Sequence, residues 1–386
     1  MPISTRTCCH PGGATPKRAP TVNLTHVGKG ERERSIPSLD GLRAFSVLSV
    51  ILGHLRSPQL DAIPLLQPFR QGELGVAMFF VISGFLITHL LLKERSEAGG
   101  IDLRAFYLRR TLRIFPPFYA FVAIVGIMTM AGACVLPRAA FLFALTYTWN
   151  IGPYSGIWIF GHLWSLSLEE QFYLIWPSFV KRLRSAANLR NVAAFFFVAP
   201  LVRIAAFLLV PPVYQQRIHT TLLLLPDHFL AGCAIALAMD ADRFDRLLPS
   251  LGRLRYAAPS ALYLYIIDPY LDRNYRAFRP LIGYSTEALC IGIILVYVVL
   301  RPNSVAGRLL NLRPVRHIGL ISYSLYLWQQ MFTGLDTERF VKFPANLIAI
   351  FLCAEASYWV IERPALALKR RLTPGKGPLI ALVPVV

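Results

Sequence analysis

Apolar stretches about one bilayer long recur along this chain, interrupted by arginines and lysines, and a soluble core could not bury so many of them together. A helix needs roughly twenty apolar residues to cross about 30 Å of hydrocarbon, where its backbone must satisfy every N–H and C=O internally. Scanned with such a window, the sequence shows ten stretches, centred on 38–56, 74–92, 114–135, 158–180, 192–210, 221–239, 256–271, 281–300, 317–334 and 345–366. The expected fold is all-α: a polytopic membrane helical bundle of about ten transmembrane helices. The weak segment is 139–157, where AAFLFALTYTWN is too short to cross and is followed by Gly152, Pro153 and Gly156. It is expected outside, as a re-entrant or surface element.

Only 16% of the residues are charged, against roughly a quarter in soluble domains, yet the formal net charge is +19. That excess does not point to nucleic acid, because no basic block is interleaved with polar and aromatic residues on one face. With the N-terminus inside, thirty of the forty Lys and Arg fall on the cytoplasmic side and nine outside, with Arg203 left within a span. Both termini are therefore expected in the cytoplasm. Residues 1–37, rich in Pro, Gly, Thr and Arg, lack the apolar centre of a secretory signal and read as a disordered cytoplasmic tail. The membrane domain is expected over 38–366 and a short basic C-terminal tail over 367–386. Cys134, Cys233, Cys290 and Cys353 lie in apolar stretches, and Cys8 and Cys9 lie in the polar tail, so no disulfide framework is expected. Cys8-Cys9-His10 is too compact for a zinc site, and no metal is expected. The halves show no repeat and no matching broken spans, which gives an inverted-repeat transporter no support.

An ionisable side chain near the middle of a spanning helix costs at least about 2.5 kcal/mol, so each one needs a partner or a task. The candidates are Asp40, Arg43, His54, Glu169, Glu170, Arg203, Asp227, His228, Asp268, Glu287, Glu355 and Glu362. Arg43 and His54 are separated by about 16 Å along a helix and return to nearly one face. An anion held by Arg43 could thus extend an arm to His54; alternatively, Arg43 marks the inner boundary and His54 packs near the outer one. Glu169 and Glu170 point about 100° apart, so only one is expected to face a shared pocket. Glu169 and His54 both fall in the outer half of the bilayer, where a carboxylate could orient the imidazole as a general base. An interhelical hydrogen bond is the structural alternative.

Before the third stretch, Arg110 and Arg113 share a helical face, flanked by Arg109. Their guanidinium groups suit phosphate, although on loop charge alone inside-positive topology and attraction to anionic lipid are the favoured account. Ser83-Gly84 would let a helix or a thin ligand chain approach the backbone, and close packing explains it as well. The same holds for Asp227-His228 and Gly232, while Tyr323, Tyr326 and Trp328 could be interface anchors.

LDGLRAFSVLSVILGH, GVAMFFVISGFLIT, RRTLRIFP, WSLSLEEQFYLIWP, ISYSLYLWQQ and VIERP, in this order from Ser38 to Glu362, resemble the acyltransferase-3 family of multi-span membrane O-acyltransferases. The family's Arg, ten residues, His spacing falls on Arg43 and His54, and its Arg-x-x-Arg on Arg110 and Arg113. The resemblance implies transfer of an acyl group, often acetyl, from cytoplasmic acyl-CoA to a hydroxyl of a carbohydrate or glycosylated acceptor at or across a bacterial inner membrane. It makes 38–366 an acyltransferase domain, in contact with membrane lipid and with no permanently bound cofactor, since acyl-CoA (acetyl-CoA) is a donor substrate. His54 is then the catalytic base, and Arg110 and Arg113, with Arg43, hold the donor's phosphates. Glu169 matches a signature position, and Ser83, Tyr323 and Glu362 match motif positions whose work could be structural.

Two features depart from the family pattern. Gln329 stands where members often have His after SYSLYLW, and it can hydrogen-bond but not titrate. The chain also ends soon after the tenth stretch, without room for the hydrolase-like domain of some relatives, so it would act alone or with a separate soluble partner. A ten-span carrier with a proton relay is the competing function, but it does not require Arg110 and Arg113 together with Arg43 and His54. No histidine has Asp four or five positions downstream, so the His-x4-Asp motif of other acyltransferases is missing.

Overall fold

The computed structural model describes residues 36, 38–55, 57–154, 156–183, 187–211, 220–223, 225–241, 247–275, 277–334 and 341–372. Nearly all of the expected N-terminal tail, with Cys8, Cys9 and His10, and residues 373–386 of the C-terminal tail lie outside them. Among the described residues there are helices and turns and no strand. The main helices are α1 (Leu39–His54), α2 (Gly72–Ala98), α3 (Leu103–Met130), α4 (Arg138–Leu145), α5 (Leu163–Arg182), α6 (Ala187–Leu209) and α7 (Asp227–Asp240). They are followed by α8 (Leu254–Leu262), α9 (Tyr284–Leu300), α10 (Arg313–Leu320), α11 (Ser322–Trp328), α12 (Ala345–Ser357) and α13 (Arg363–Leu372). Widened turns Tyr263–Ile267, Arg279–Gly283 and Tyr358–Glu362 continue α8, lead into α9 and join α12 to α13. Each of the ten apolar stretches carries helix, and α4, in the weak segment, has only eight residues.

Four helical runs among the described residues are long and apolar enough to cross a membrane: Pro64–Ala98, Leu103–Met130, Arg279–Leu300 and Ala345–Leu368. Their surroundings follow from where their apolar residues point. α2 is apolar around its whole circumference and is enclosed by neighbours, with Phe79, Val81, Ile82 and Phe85 all buried. On α3 and α5, large apolar side chains face outward, Ile127 being 59% and Leu174 67% exposed, which suits contact with hydrocarbon rather than water.

Small residues set how closely the axes approach. A Cβ on Gly84 would lie 2.1 Å from the Phe229 carbonyl oxygen, and one on Gly232 2.0 Å from that of Val81, so α2 and α7 touch backbone to backbone. A Cβ on Gly319 would lie 1.9 Å from the Asp40 carbonyl oxygen, which seats α10 against α1 in the same way. Gly84 and Gly232 are thus packing residues, which decides between the two roles open to them from sequence.

Asp227 and Arg203 form a fully buried ion pair between α7 and α6, with Nη1 to Oδ2 at 2.6 Å. Arg203 Nε also donates to the Pro280 carbonyl at 2.9 Å, and the Ser285 hydroxyl donates to Asp227. Removing one partner of such a pair strands the other charge, which typically costs about 3–5 kcal/mol, whereas replacing both by apolar groups often costs little. Asp227→Ala should therefore lower the thermal midpoint of the purified protein sharply, and Arg203→Met with Asp227→Leu should restore much of it. A single variant that melts with the wild type would show the pair to be dispensable.

Candidate active site

Arg43 lies in the first turns of α1 and is fully buried, where Nη2 donates to the Ser322 hydroxyl of α11 at 3.2 Å and Nη1 stands 3.8 Å from Asp40. Arg113, on α3, is buried within electrostatic range of Arg43, Arg110 and Glu362. Nε and Nη1 of Arg43, and Nε and Nη2 of Arg113, have no hydrogen-bond partner among the described residues. Asp40 and Glu362 balance these charges, but burying N–H donors without a hydrogen-bond acceptor is expensive, so these groups could hold an anion or another strong acceptor. Glu362 lies within electrostatic range of both guanidinium groups and accepts from the Ser324 hydroxyl.

Arg110 is placed differently. Its guanidinium lies 3.5 Å from the centre of the Tyr173 ring and reaches both acids of α5, with Nη2 3.8 Å from Glu169 and Nε 3.9 Å from Glu170. Only one of these acids was expected to face a shared group; the structure corrects this, because one planar fork is long enough to span both carboxylates although they leave the helix about 100° apart. Glu169 also accepts from the Ser83 and Tyr173 hydroxyls, so Ser83 is tied to the acid rather than lining an open path. Arg109 pairs with Glu94 at 2.7 Å, and Tyr323 donates to the Ile114 carbonyl at 3.0 Å. Both hold α3 in place.

His54 is the last residue of α1, half-buried, with its ring 5.3 Å edge-on from that of Trp158. The expected pairing of His54 with Glu169 is corrected by the structure: the partner is Gln329, whose Oε1 lies 2.9 Å from Nδ1. Axial depth is the reason. Trp158 and His162 stand at the start of α5, and seven residues of helical rise put Glu169 about 10 Å further in. Because a glutamine oxygen only accepts, Nδ1 carries the hydrogen and Nε2 presents a bare lone pair, the form a general base needs.

A second histidine stands close by. His162 Nδ1 lies 2.6 Å from Gln330 Oε1, which also accepts from the His162 backbone N–H at 2.6 Å, and the ring is buried between Phe121 and Tyr326. Trp158 Nε1 donates to the Gln330 carbonyl at 3.1 Å. Sequence reasoning did not assign tasks to Gln329, Gln330 or His162. Two consecutive glutamines at the end of ISYSLYLWQQ were the available signal, since amides within an apolar span need partners.

Residues 36–360 match the family model described as an acyltransferase domain. The chain is 32% identical over 369 residues to YrhL of Bacillus subtilis, covering 87% of this chain and 56% of that protein. It is 28% identical over 358 residues to the peptidoglycan O-acetyltransferase OatA of Listeria monocytogenes, covering 85% and 55%. To the O-acetyltransferase OatA of Staphylococcus aureus it is 28% identical over 373 residues, covering 89% and 59%. The chain thus spans a little over half the length of these curated relatives. No solved structure matches it.

Proposed function

This chain belongs to the acyltransferase-3 family, and from that membership we propose that it is a multi-pass membrane O-acyltransferase moving an acetyl group from cytoplasmic acyl-CoA to a sugar hydroxyl on the extracytoplasmic side. The names of the relatives favour acetyl as the group and a peptidoglycan-like carbohydrate as the acceptor. They give a proton-relay carrier no support. In this proposal all ten apolar stretches cross the inner membrane of a bacterium and both termini are cytoplasmic, consistent with the bias of Lys and Arg.

The observation that carries the proposal is the pair of buried guanidinium groups on Arg43 and Arg113 with unused N–H donors. They suit the multiply charged phosphate end of coenzyme A, and Arg110 keeps the neighbouring Glu169 and Glu170 compensated. The donor's long arm would run beside α1 over about 16 Å, bringing the thioester to His54. There His54 Nε2 removes the proton of the acceptor hydroxyl, its oxygen bonds to the thioester carbon, and the coenzyme A thiolate leaves and takes up the proton.

Hydrogen bonds to charged groups contribute about 1.5–3 kcal/mol each. Arg113→Ala should therefore raise the KM for acetyl-CoA roughly tenfold to a hundredfold with little change in kcat, and donor binding to the wild type should weaken with salt. Unchanged donor affinity in Arg113→Ala would remove the phosphate assignment.

A further inference from the structure

Gln329 has a second polar edge that its contacts leave unused. The side chain is fully buried, and its Oε1 faces both His54 Nδ1, at 2.9 Å, and the Thr333 hydroxyl, at 3.4 Å. The oxygen edge is thus turned toward His54, which leaves Nε2 as the other edge of the same amide. Nε2 is buried and has no hydrogen-bond partner among the described residues. The Thr333 hydroxyl, which donates to the Gln329 backbone carbonyl at 3.0 Å, stands at the oxygen edge of the amide and not within hydrogen-bond reach of Nε2. A buried amide N–H without an acceptor is costly, and here it is held by a planar group whose other end fixes the imidazole. Orienting His54 needs an acceptor alone; it does not explain an unsatisfied donor beside the ring.

We propose that Gln329 Nε2 is the oxyanion donor of this site, hydrogen-bonding the carbonyl oxygen of the acyl thioester as it gains negative charge. This rests on acyl transfer at His54 as proposed above. As His54 Nε2 takes the hydroxyl proton, the hydroxyl oxygen bonds to the thioester carbon and the C=O π pair moves onto the carbonyl oxygen. Gln329 Nε2–H donates to that oxyanion. Collapse re-forms C=O, breaks the C–S bond and releases coenzyme A thiolate, which receives the proton from His54. One side chain thus sets the tautomer of the base and stabilises the charge that the base helps to create, with no titrating group at this position.

The decisive variant is Gln329→Glu, which keeps an oxygen acceptor for His54 and removes the N–H donor. A donor to the oxyanion typically contributes about 10²–10³ in kcat. The expected result is a fall of that size in both Gln329→Glu and Gln329→Met, with the KM for acetyl-CoA within about threefold of wild type. If Gln329 only orients the imidazole, Gln329→Glu keeps wild-type kcat and only Gln329→Met falls; that outcome overturns the proposal.

Should Gln329→Glu fail to accumulate, infrared spectra of acetyl-CoA labelled with ¹³C at the carbonyl and bound to His54→Ala protein give a second readout. The carbonyl band should lie below that of free acetyl-CoA and return toward it in His54→Ala with Gln329→Met. A band that Gln329→Met does not move overturns the assignment without any contribution from His54 orientation. Wild type and His54→Ala are assayed alongside: wild type without transferase activity would sink the functional proposal itself, whereas an active wild type with active Gln329→Glu sinks only this one.

Discussion

His54→Ala should abolish acyl transfer while the protein still inserts and accumulates. A positioned base contributes about 10²–10⁴ in rate, and among the described residues the other side chain within hydrogen-bond reach of the Gln329 Oε1 is the Thr333 hydroxyl, a far weaker base. The structural cost should be small: His54 ends its helix, is half-buried, and gives up one hydrogen bond and an edge-on contact with Trp158. The net loss from one neutral hydrogen bond is about 1 kcal/mol. Protein level by immunoblot and acetyl ester on the acceptor by mass spectrometry separate the two effects. Acetylation at the wild-type rate in that variant would take His54 out of the mechanism, and with it the geometry that links α1 to the guanidinium pair.

An effect of comparable size, on folding rather than chemistry, is expected at the crossing of α2 and α7. In Gly232→Val the new β-carbon would stand 2.0 Å from the Val81 carbonyl oxygen and 2.5 Å from the Phe85 backbone nitrogen. Both obstacles are main chain, so no rotamer change relieves them and the helices must separate. Overpacking commonly costs about 1–3 kcal/mol, and a backbone collision with the enclosed middle of α2 should exceed that range. α2 also carries Ser83, which hydrogen-bonds Glu169, so separation would disturb the acid that balances Arg110. Gly232→Val should therefore fail to accumulate in membranes. Gly126→Ala is the control, because its β-carbon would meet only a Phe141 ring atom at 3.7 Å. Normal accumulation of Gly232→Val would show that the two helices do not cross at this distance.

The helical character of each apolar stretch, and several of the residues that the candidate site brings together, were legible without coordinates. Bilayer thickness selects the apolar lengths, and the cost of charge in hydrocarbon singles out Arg43, His54, Glu169 and Glu362, because such residues persist only with partners or tasks. Helical periodicity placed Arg110 and Arg113 on one face, and the two lie within electrostatic range of each other, but it also let only one of Glu169 and Glu170 face a shared group, whereas Arg110 reaches both. Gln329 stood out only as a departure, an amide where relatives often have a titrating group.

What periodicity cannot supply is the relative depth and rotation of helices far apart in sequence. Sequence alone determined which side chains require a partner, since that depends on each residue and the apolar run around it. Tertiary structure alone decided which partner each receives: Gln329, 275 positions from His54, meets the imidazole, while Glu169 lies about two turns deeper and turns to Arg110, Ser83 and Tyr173. A hydrogen bond demands alignment within about 3 Å, and the axial offset between two helices is set by how their surfaces pack, above all where glycines let backbones touch.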